Sequence, residues 1–280
     1  MSAPCLRVVV VSHANAGTIA ECLRRLLACA EVAEVVVVDN GSDDGTVEAA
    51  LAVAHADPRT TVRADPDNPG FAVACNAGAA HCAQPWLAFV NPDCFVSSDT
   101  FARLLAHADE VPGIGALGCV QVGVDGIEDE NVRRRDLSLR RVLLAGGARR
   151  ALHVANDARR LQDVDALSGA MMLVPAAVFE RVRGFDPGYV LHVEDLDLCR
   201  RIREAGYAIR VANDVRVTHV RGVSSRRRPL WVEWQKHRGM WRYFRRFEAE
   251  RTWPPMRALL WCALWAHLAL RLPSLVLRRR

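Results

Sequence analysis

A chain of 280 residues is long enough to bury a substantial core, and with 51% hydrophobic and 25% charged residues its composition is globular rather than disordered. The net charge of +5 is unevenly placed: arginine dominates 131–141, 221–228, 241–251 and the last three positions, which suits phosphate, anionic lipid or nucleic acid. Nine cysteines, an odd count with no C-x-x-C pair and mostly set in apolar runs, read as reduced buried thiols of a cytosolic protein, with neither a disulfide framework nor a zinc site.

No signal-peptide pattern opens the chain; "LRVVVVS" (6–12) is instead a β-branched run of the kind buried on both faces of a parallel sheet. The turn "HANAGT" leads into a helix in which Ile19, Cys22, Leu23, Leu26 and Leu27 share one face. "EVVVVDNGSDDGT" repeats the strand and polar turn, and "VEAALAVAHA" the helix. A third unit runs from "TTVRAD" through "PDNPGF" to "AVACNAGAAHCA". A fourth strand, "WLAFVNPDC", precedes the helix "DTFARLLAHA". This alternation predicts an α/β fold with a right-handed, mostly parallel sheet and helices on both sides.

From about 118 to 165 the pattern is irregular and basic, and reads as an insertion over the open edge of the sheet. "DALSGAMMLVPAAVFERVRGFD" (165–186) restores a strand, a helix and a turn, and "YAIRVANDVRVTHVRG" (207–222) adds one or two strands. Beyond 229 the composition shifts to tryptophan, arginine and leucine, which predicts separate helices. The division is thus a nucleotide-binding half of about 1–117, an acceptor-side half of about 118–228, and a helical extension over 229–280.

Ligands of open parallel sheets collect at the carboxyl ends of the strands. Each predicted strand here ends in polar residues: Ser12 with Asn15, Asp39 with Asn40, Asn91 with Asp93. Asp39 could accept hydrogen bonds from a ribose or a base, or simply cap its turn. Neither a G-x-G-x-x-G loop nor a G-x-x-x-x-G-K-[ST] loop occurs, which weighs against a nicotinamide enzyme and a P-loop ATPase.

The blocks "VVVVSHANAGTIAECLRRL", "VVVVDNGSDDGT", "NPGFAVACNAG", "FVNPDC", "SGAMMLVPAAVFERVRGFD" and "HVEDLDLCRRIREAGY", in this order over roughly 6–225, resemble family-2 glycosyltransferases, and within them the rhamnosyltransferase-like members. The resemblance implies a GT-A fold, with a nucleotide-binding α/β domain and an adjoining acceptor region. It places Ser12, Asn15 and Asp39 on the nucleoside, Asn68, Gly70 and Asn76 along the nucleotide pocket, and Asn91 beside Asp93. Asp93 matches the family's metal-binding acid, for Mg²⁺ or Mn²⁺, although Asn91 stands where many relatives carry a first aspartate. His219 matches a position where some relatives supply a metal-binding imidazole. The Glu194–Asp195 pair resembles the family's acid pair, with Asp195 as base and Glu194 orienting it or holding an acceptor hydroxyl.

The implied reaction moves a sugar, rhamnose from dTDP-rhamnose or a hexose from a UDP donor, with inversion, onto a cell-envelope glycan or lipid-linked acceptor. Asp197 reads as a first-turn helix acid favoured by the macrodipole. Ser168 and Gly169 offer space beside the sugar, and the arginines of 131–141 suit an anionic acceptor or a membrane surface. The tail over 255–280 is too short in its apolar run to span a bilayer. With Trp253, Trp261 and Trp265 among arginines it fits peripheral membrane contact at the inner face of the plasma membrane, or packing on protein, and a homo-oligomer is left open. Two readings of other classes remain: a basic nucleic-acid- or membrane-binding protein, and a catalytically dead scaffold. Nucleic acid is not expected, because the arginine runs lack interleaved aromatics until after residue 230 and no binding module is present.

Overall fold

The structure, a computed structural model, describes residues 4–220 and 229–277. The arginine-rich stretch at 221–228 and the three terminal arginines lie outside the described residues. The first half alternates β1 (Leu6–Ser12), α1 (Ile19–Leu27), β2 (Val32–Asp39), α2 (Thr46–Ala56), β3 (Thr60–Ala64), α3 (Phe71–Ala79) and β4 (Trp86–Val90). Then come β5 (Cys94–Phe95), α4 (Thr100–Asp109), β6 (Ile114–Val122), β7 (Arg133–Arg134), α5 (Leu139–Leu144), α6 (Ala148–Leu152), β8 (Leu161–Asp163) and β9 (Ala166–Leu167). The remainder is β10 (Met171–Pro175), α7 (Ala176–Arg181), α8 (Glu194–Glu204), β11 (Ala208–His219), α9 (Pro229–Phe247) and α10 (Pro254–Leu277).

The main sheet runs β3-β2-β1-β4-β10-β6-β11-β5, with β8 also paired to β11. β1 to β4, β6 and β11 share one direction, while β10 runs antiparallel between β4 and β6, and β5 and β8 run antiparallel to β11. The valine run of β1 serves both faces because side chains alternate along a strand. Val8 and Val10 pack with α1 and α4, whereas Val9 and Val11 pack in the core that holds α3, α8 and α9. Full burial on both sides is why the run shows no polar alternation.

Two details depart from the sequence pattern and one narrows it. The irregular stretch begins after Val122, since 118–122 continue the central strand β6. Of the one or two strands expected near the end of the sheet, one forms, the 12-residue β11 over Ala208–His219, with a register shift between Ala212 and Arg216. The helices beyond 229 do form, but they are not set apart: Met240, Tyr243, Phe244, Leu260 and Leu264 belong to the same core as α3 and α8. No helix among the described residues is long and apolar enough to cross a membrane.

α3 lies unusually close to β1, because a Cβ at Gly78 would fall 2.4 Å from Val9 Cγ1. Gly78→Val therefore forces an overpacked contact and is expected to cost about 1–3 kcal/mol of stability. Urea unfolding reads this as a lower midpoint at constant slope, and an unshifted midpoint would discard the close-packing account.

Candidate active site

Parallel pairing of β1 with β2 sets Ser12 opposite Asp39 at the carboxyl ends of both strands. Ser12 Oγ donates to Asp39 Oδ2 at 2.7 Å, while Ser42 donates its N–H to Oδ1 at 2.8 Å and its hydroxyl to Oδ2 at 2.6 Å. The carboxylate is buried and held in one orientation. Asn15 is also buried; its backbone N–H donates to Thr46 Oγ1 at 2.7 Å, and its side-chain oxygen accepts from the His13 N–H at 3.0 Å. Beside them the buried Asn40 Oδ1 has no partner. An unmet acceptor next to a fixed carboxylate is an open hydrogen-bonding position for a ligand N–H or O–H.

Asn68 is exposed, with φ +46°. Gly70, with φ +102°, is required by a close approach: a Cβ there would sit 2.6 Å from the Val190 carbonyl oxygen, which also accepts the Phe71 N–H at 3.1 Å. The start of α3 is thereby pinned to the segment leading into α8. Asn76 donates from Nδ2 to the Phe185 carbonyl at 2.8 Å and accepts the Phe185 N–H on Oδ1 at 2.9 Å. Both polar atoms are engaged there, which makes Asn76 a tether between α3 and the 184–186 loop.

Beyond β4, Asn91 donates its backbone N–H to the Ala170 carbonyl at 2.9 Å. Asp93 is buried, with Oδ1 3.2 Å from His219 Nε2, and His219 Nδ1 is buried without a partner. Cys94 completes a group whose ligand atoms lie within 4.8 Å of one another. Burial, then the Asp93 charge, pushes the Cys94 thiol well above its ordinary value, so it stays protonated. The carboxylate and the imidazole, whose Nδ1 has no partner among the described residues, are the donors that fit a divalent cation.

The acid pair opens α8. His192 and Val193 precede it with φ +67° and +75°, a left-handed pair that a β-branched residue rarely adopts. α9 braces this turn, since a Cβ at Gly239 would come within 3.1 Å of the His192 carbonyl oxygen and of Val193 Cγ2. Asp195 Oδ2 accepts from Arg134 Nη2 at 2.6 Å and from the Gly169 N–H at 3.0 Å, and Oδ1 accepts from the Leu196 N–H at 2.8 Å. Burial works to raise the Asp195 pKa, but the Arg134 charge and these hydrogen bonds prevail and hold it below the ordinary carboxylate value. Glu194 is raised instead, first by burial and then by the Asp195 charge, and its Oε2 has no partner.

Asp197 stands in the first turn of α8 as expected. There it is fully buried and pairs with Arg201 Nε at 2.6 Å and Arg246 Nη1 at 3.0 Å, clamping α8 to α9. Gly169 contributes its N–H to the Asp195 cradle rather than only space, and Met171 and Met172 are buried in β10. The arginines of 131–141 separate by role. Arg133 is buried against Glu128 and Asn213, Arg134 reaches Asp195, and Arg140 and Arg141 face a surface cavity of about 500 Å³.

Separate hydrogen bonds hold expected residues at one end of the sheet: Ser12 to Asp39, the Asn91 N–H to the Ala170 carbonyl, and the Gly169 N–H to Asp195. Asp93 and His219 stand at that same end, past β4 and at the close of β11. The chain motifs pointed to no role for Arg134 at the acid. The only signal was its place in an arginine run, 61 positions from its partner.

Residues 7–183 match the family described as Glycosyl transferase family 2. An N-acetylglucosaminyl-diphospho-decaprenol L-rhamnosyltransferase of Mycobacterium tuberculosis is 29% identical over 244 residues, covering 80% of this chain and 78% of the relative. A pre-mycofactocin glycosyltransferase of the same organism is 30% identical over 70% of this chain and 39% of its own length. Among solved structures, the mannosyltransferase PcManGT from Pyrobaculum calidifontis, in complex with GDP-Man and Mn²⁺, superposes with a TM-score of 0.63 at 20% identity. That superposition covers 98% of this chain and 76% of the other, and it agrees with the GT-A fold expected from the sequence.

Because Glu194 holds its proton more tightly folded than unfolded, the folded state binds the extra proton as pH rises past the ordinary glutamate value. Stability should therefore fall with rising pH over that range. Glu194→Gln is expected to remove this slope and to be more stable than the wild type at pH 8. Melting temperatures measured from pH 4.5 to 8.5 check it, and parallel curves for the two proteins would overturn the assignment.

Proposed function

The chain belongs to glycosyl transferase family 2, and from that premise we propose that it moves rhamnose from dTDP-rhamnose, with inversion, onto a diphosphate-linked lipid acceptor of cell-envelope synthesis. The single observation carrying this reading is that acids from three separate segments, Asp39, Asp93 and Asp195, stand at one end of the sheet, each set there by its own strand pairing or hydrogen bonds. The rhamnosyltransferase relative supports the sugar and the acceptor class, since its name specifies both for that protein.

In this reading the nucleoside lies on Ser12, Asn15, Asn40 and Asp39, with its diphosphate toward Asp93 and His219. A divalent cation held by Asp93 and His219, Mn²⁺ or Mg²⁺, would supply Lewis-acid neutralisation of the charge on the departing diphosphate. The acceptor oxygen attacks the anomeric carbon from the face opposite the diphosphate, and the carbon–oxygen bond to the phosphate breaks with its electron pair leaving on the nucleoside diphosphate. Asp195 takes the acceptor hydroxyl proton. Arg134 keeps Asp195 ionised before the attack and favours release of the proton afterwards, since protonation forfeits the ion pair.

A lipid-linked acceptor places the enzyme at a membrane surface, and α10 supports that location. Leu260, Leu264 and Leu268, spaced four apart, are buried on one face, while Trp253, Leu259, Trp261 and Leu270 remain 73%, 60%, 48% and 81% exposed. Exposed tryptophan and leucine of this kind suit the headgroup boundary of a bilayer. Nine free cysteines support a reducing compartment, and in this reading the surface faces the cytoplasm.

Asp195→Asn is expected to lower transfer from dTDP-rhamnose by about 10³-fold while leaving donor binding in calorimetry unchanged. A panel including UDP-sugars, run with and without Mn²⁺, reads the donor and the cation together, and near-normal turnover by the variant would sink the assignment of the base. Replacing Trp253, Leu259, Trp261 and Leu270 by serine keeps the packed face of α10 and should move the protein from membrane to soluble fractions. An unchanged distribution would assign that face to a protein partner instead.

A further inference from the structure

A second polar cavity lies away from the catalytic carboxylate. It has a volume of about 760 Å³ and is formed by the 182–188 loop, α8 and α9. Asp195 and Asp197 are two positions apart on α8, roughly 200° around a helix, so the groups that pair with Asp197 occupy the face turned from the reaction. Six guanidinium groups line the cavity: Arg183, Arg201, Arg238, Arg242, Arg245 and Arg246. Among the described residues two carboxylates, Asp186 and Asp197, pair with members of this set, an excess of four positive charges.

The arrangement is built rather than incidental. Asp186 holds Arg242 through Nη2 at 2.9 Å to both of its oxygens, and the guanidinium stacks over Tyr189 at 5.3 Å. That position needs glycine at 188, because a Cβ there would meet Arg242 Cζ at 2.1 Å. Arg246 bridges Asp186 and Asp197. Arg201 reaches Asp197 through Nε, yet its Nη2 is buried without a partner. Arg183 is carried at φ +63°, a strained conformation for an arginine, immediately before Gly184 at φ +62°. Arg183 and Arg245 have no carboxylate partner among the described residues, and Arg238 meets only the Trp234 ring, at 5.5 Å.

Planar guanidinium groups bind phosphate oxygens in pairs and stay charged throughout the physiological range, so this set selects an oxyanion of that class over a neutral or cationic ligand. We propose that the cavity between the 182–188 loop and α9 is a binding site for a phosphate group, supplied by an anionic lipid headgroup or by a soluble phosphate compound. It uses no residue assigned to sugar transfer.

The test compares the full chain with the triple variant Arg183→Gly, Arg238→Gln, Arg245→Gln, which breaks no ion pair of the described residues and removes backbone strain at 183. Co-sedimentation with phosphatidylglycerol vesicles should weaken about a hundredfold in the variant, with phosphatidylcholine binding the same in both proteins; this outcome assigns a headgroup. Equal phosphatidylglycerol binding, with a smaller rise in melting temperature on adding inorganic pyrophosphate to the variant, assigns a soluble phosphate compound. Identical behaviour with both probes overturns the site. Should the triple variant fail to fold, the exposed single change Arg245→Gln repeats both assays, with an expected loss of about fivefold in phosphatidylglycerol binding or a smaller pyrophosphate-induced rise in melting temperature, and unchanged behaviour with both probes overturns the site equally.

Discussion

The buried ion pair between Asp195 and Arg134 is the interaction on which the site depends. A carboxylate taken out of water at the start of α8 would ordinarily gain a proton, and Arg134, arriving from an excursion outside the alternating units, prevents this. Glu194, one position earlier and without such a partner, is shifted in the opposite sense. Neighbouring acids in one helical turn thus take different protonation behaviour from a single guanidinium. The excursion over 123–165 for this reason sets the charge of Asp195 and is not an ornament on the sheet edge.

Holding that pair in place requires the turn before α8 to keep a conformation its residues resist. Val193 at φ +75° is tolerated because α9 lies against it at Gly239 and because Asp197, one turn along, is tied to Arg201 and Arg246. Strain at the turn and clamping by the neighbouring helix are two sides of one arrangement. It follows that α9, though far along the chain from the nucleotide half, bears on the direction in which Asp195 points.

Much of this was legible in the residues themselves. Uninterrupted valine runs announce strands buried on both faces, and polar residues at the carboxyl ends of the strands, Ser12, Asp39 and Asp93, stand where open sheets receive ligands. What could not be read were facts set by partners distant in the chain. Asp197 resembles any first-turn acid until Arg246, 49 positions later, is seen against it. Asn76 resembles a pocket amide until Phe185, 109 positions away, takes both of its polar atoms. Arginine is the extreme case, because one residue type serves as core tether at 133, as charge partner at 134 and as cavity lining at 242. Composition alone assigns all three to a basic surface.

The antiparallel strand β10 has a consequence for how the molecule is assembled. Its residues lie between β4 and β6, yet they come some 80 positions after β4 in the chain. During synthesis the four parallel strands β3-β2-β1-β4 can associate early, but their exposed flank at β4 must wait for residue 175 before it is covered. Until then that flank is an open hydrogen-bonding edge that other chains can occupy. A nascent chain that ends between residues 90 and 175 therefore still carries this edge uncovered.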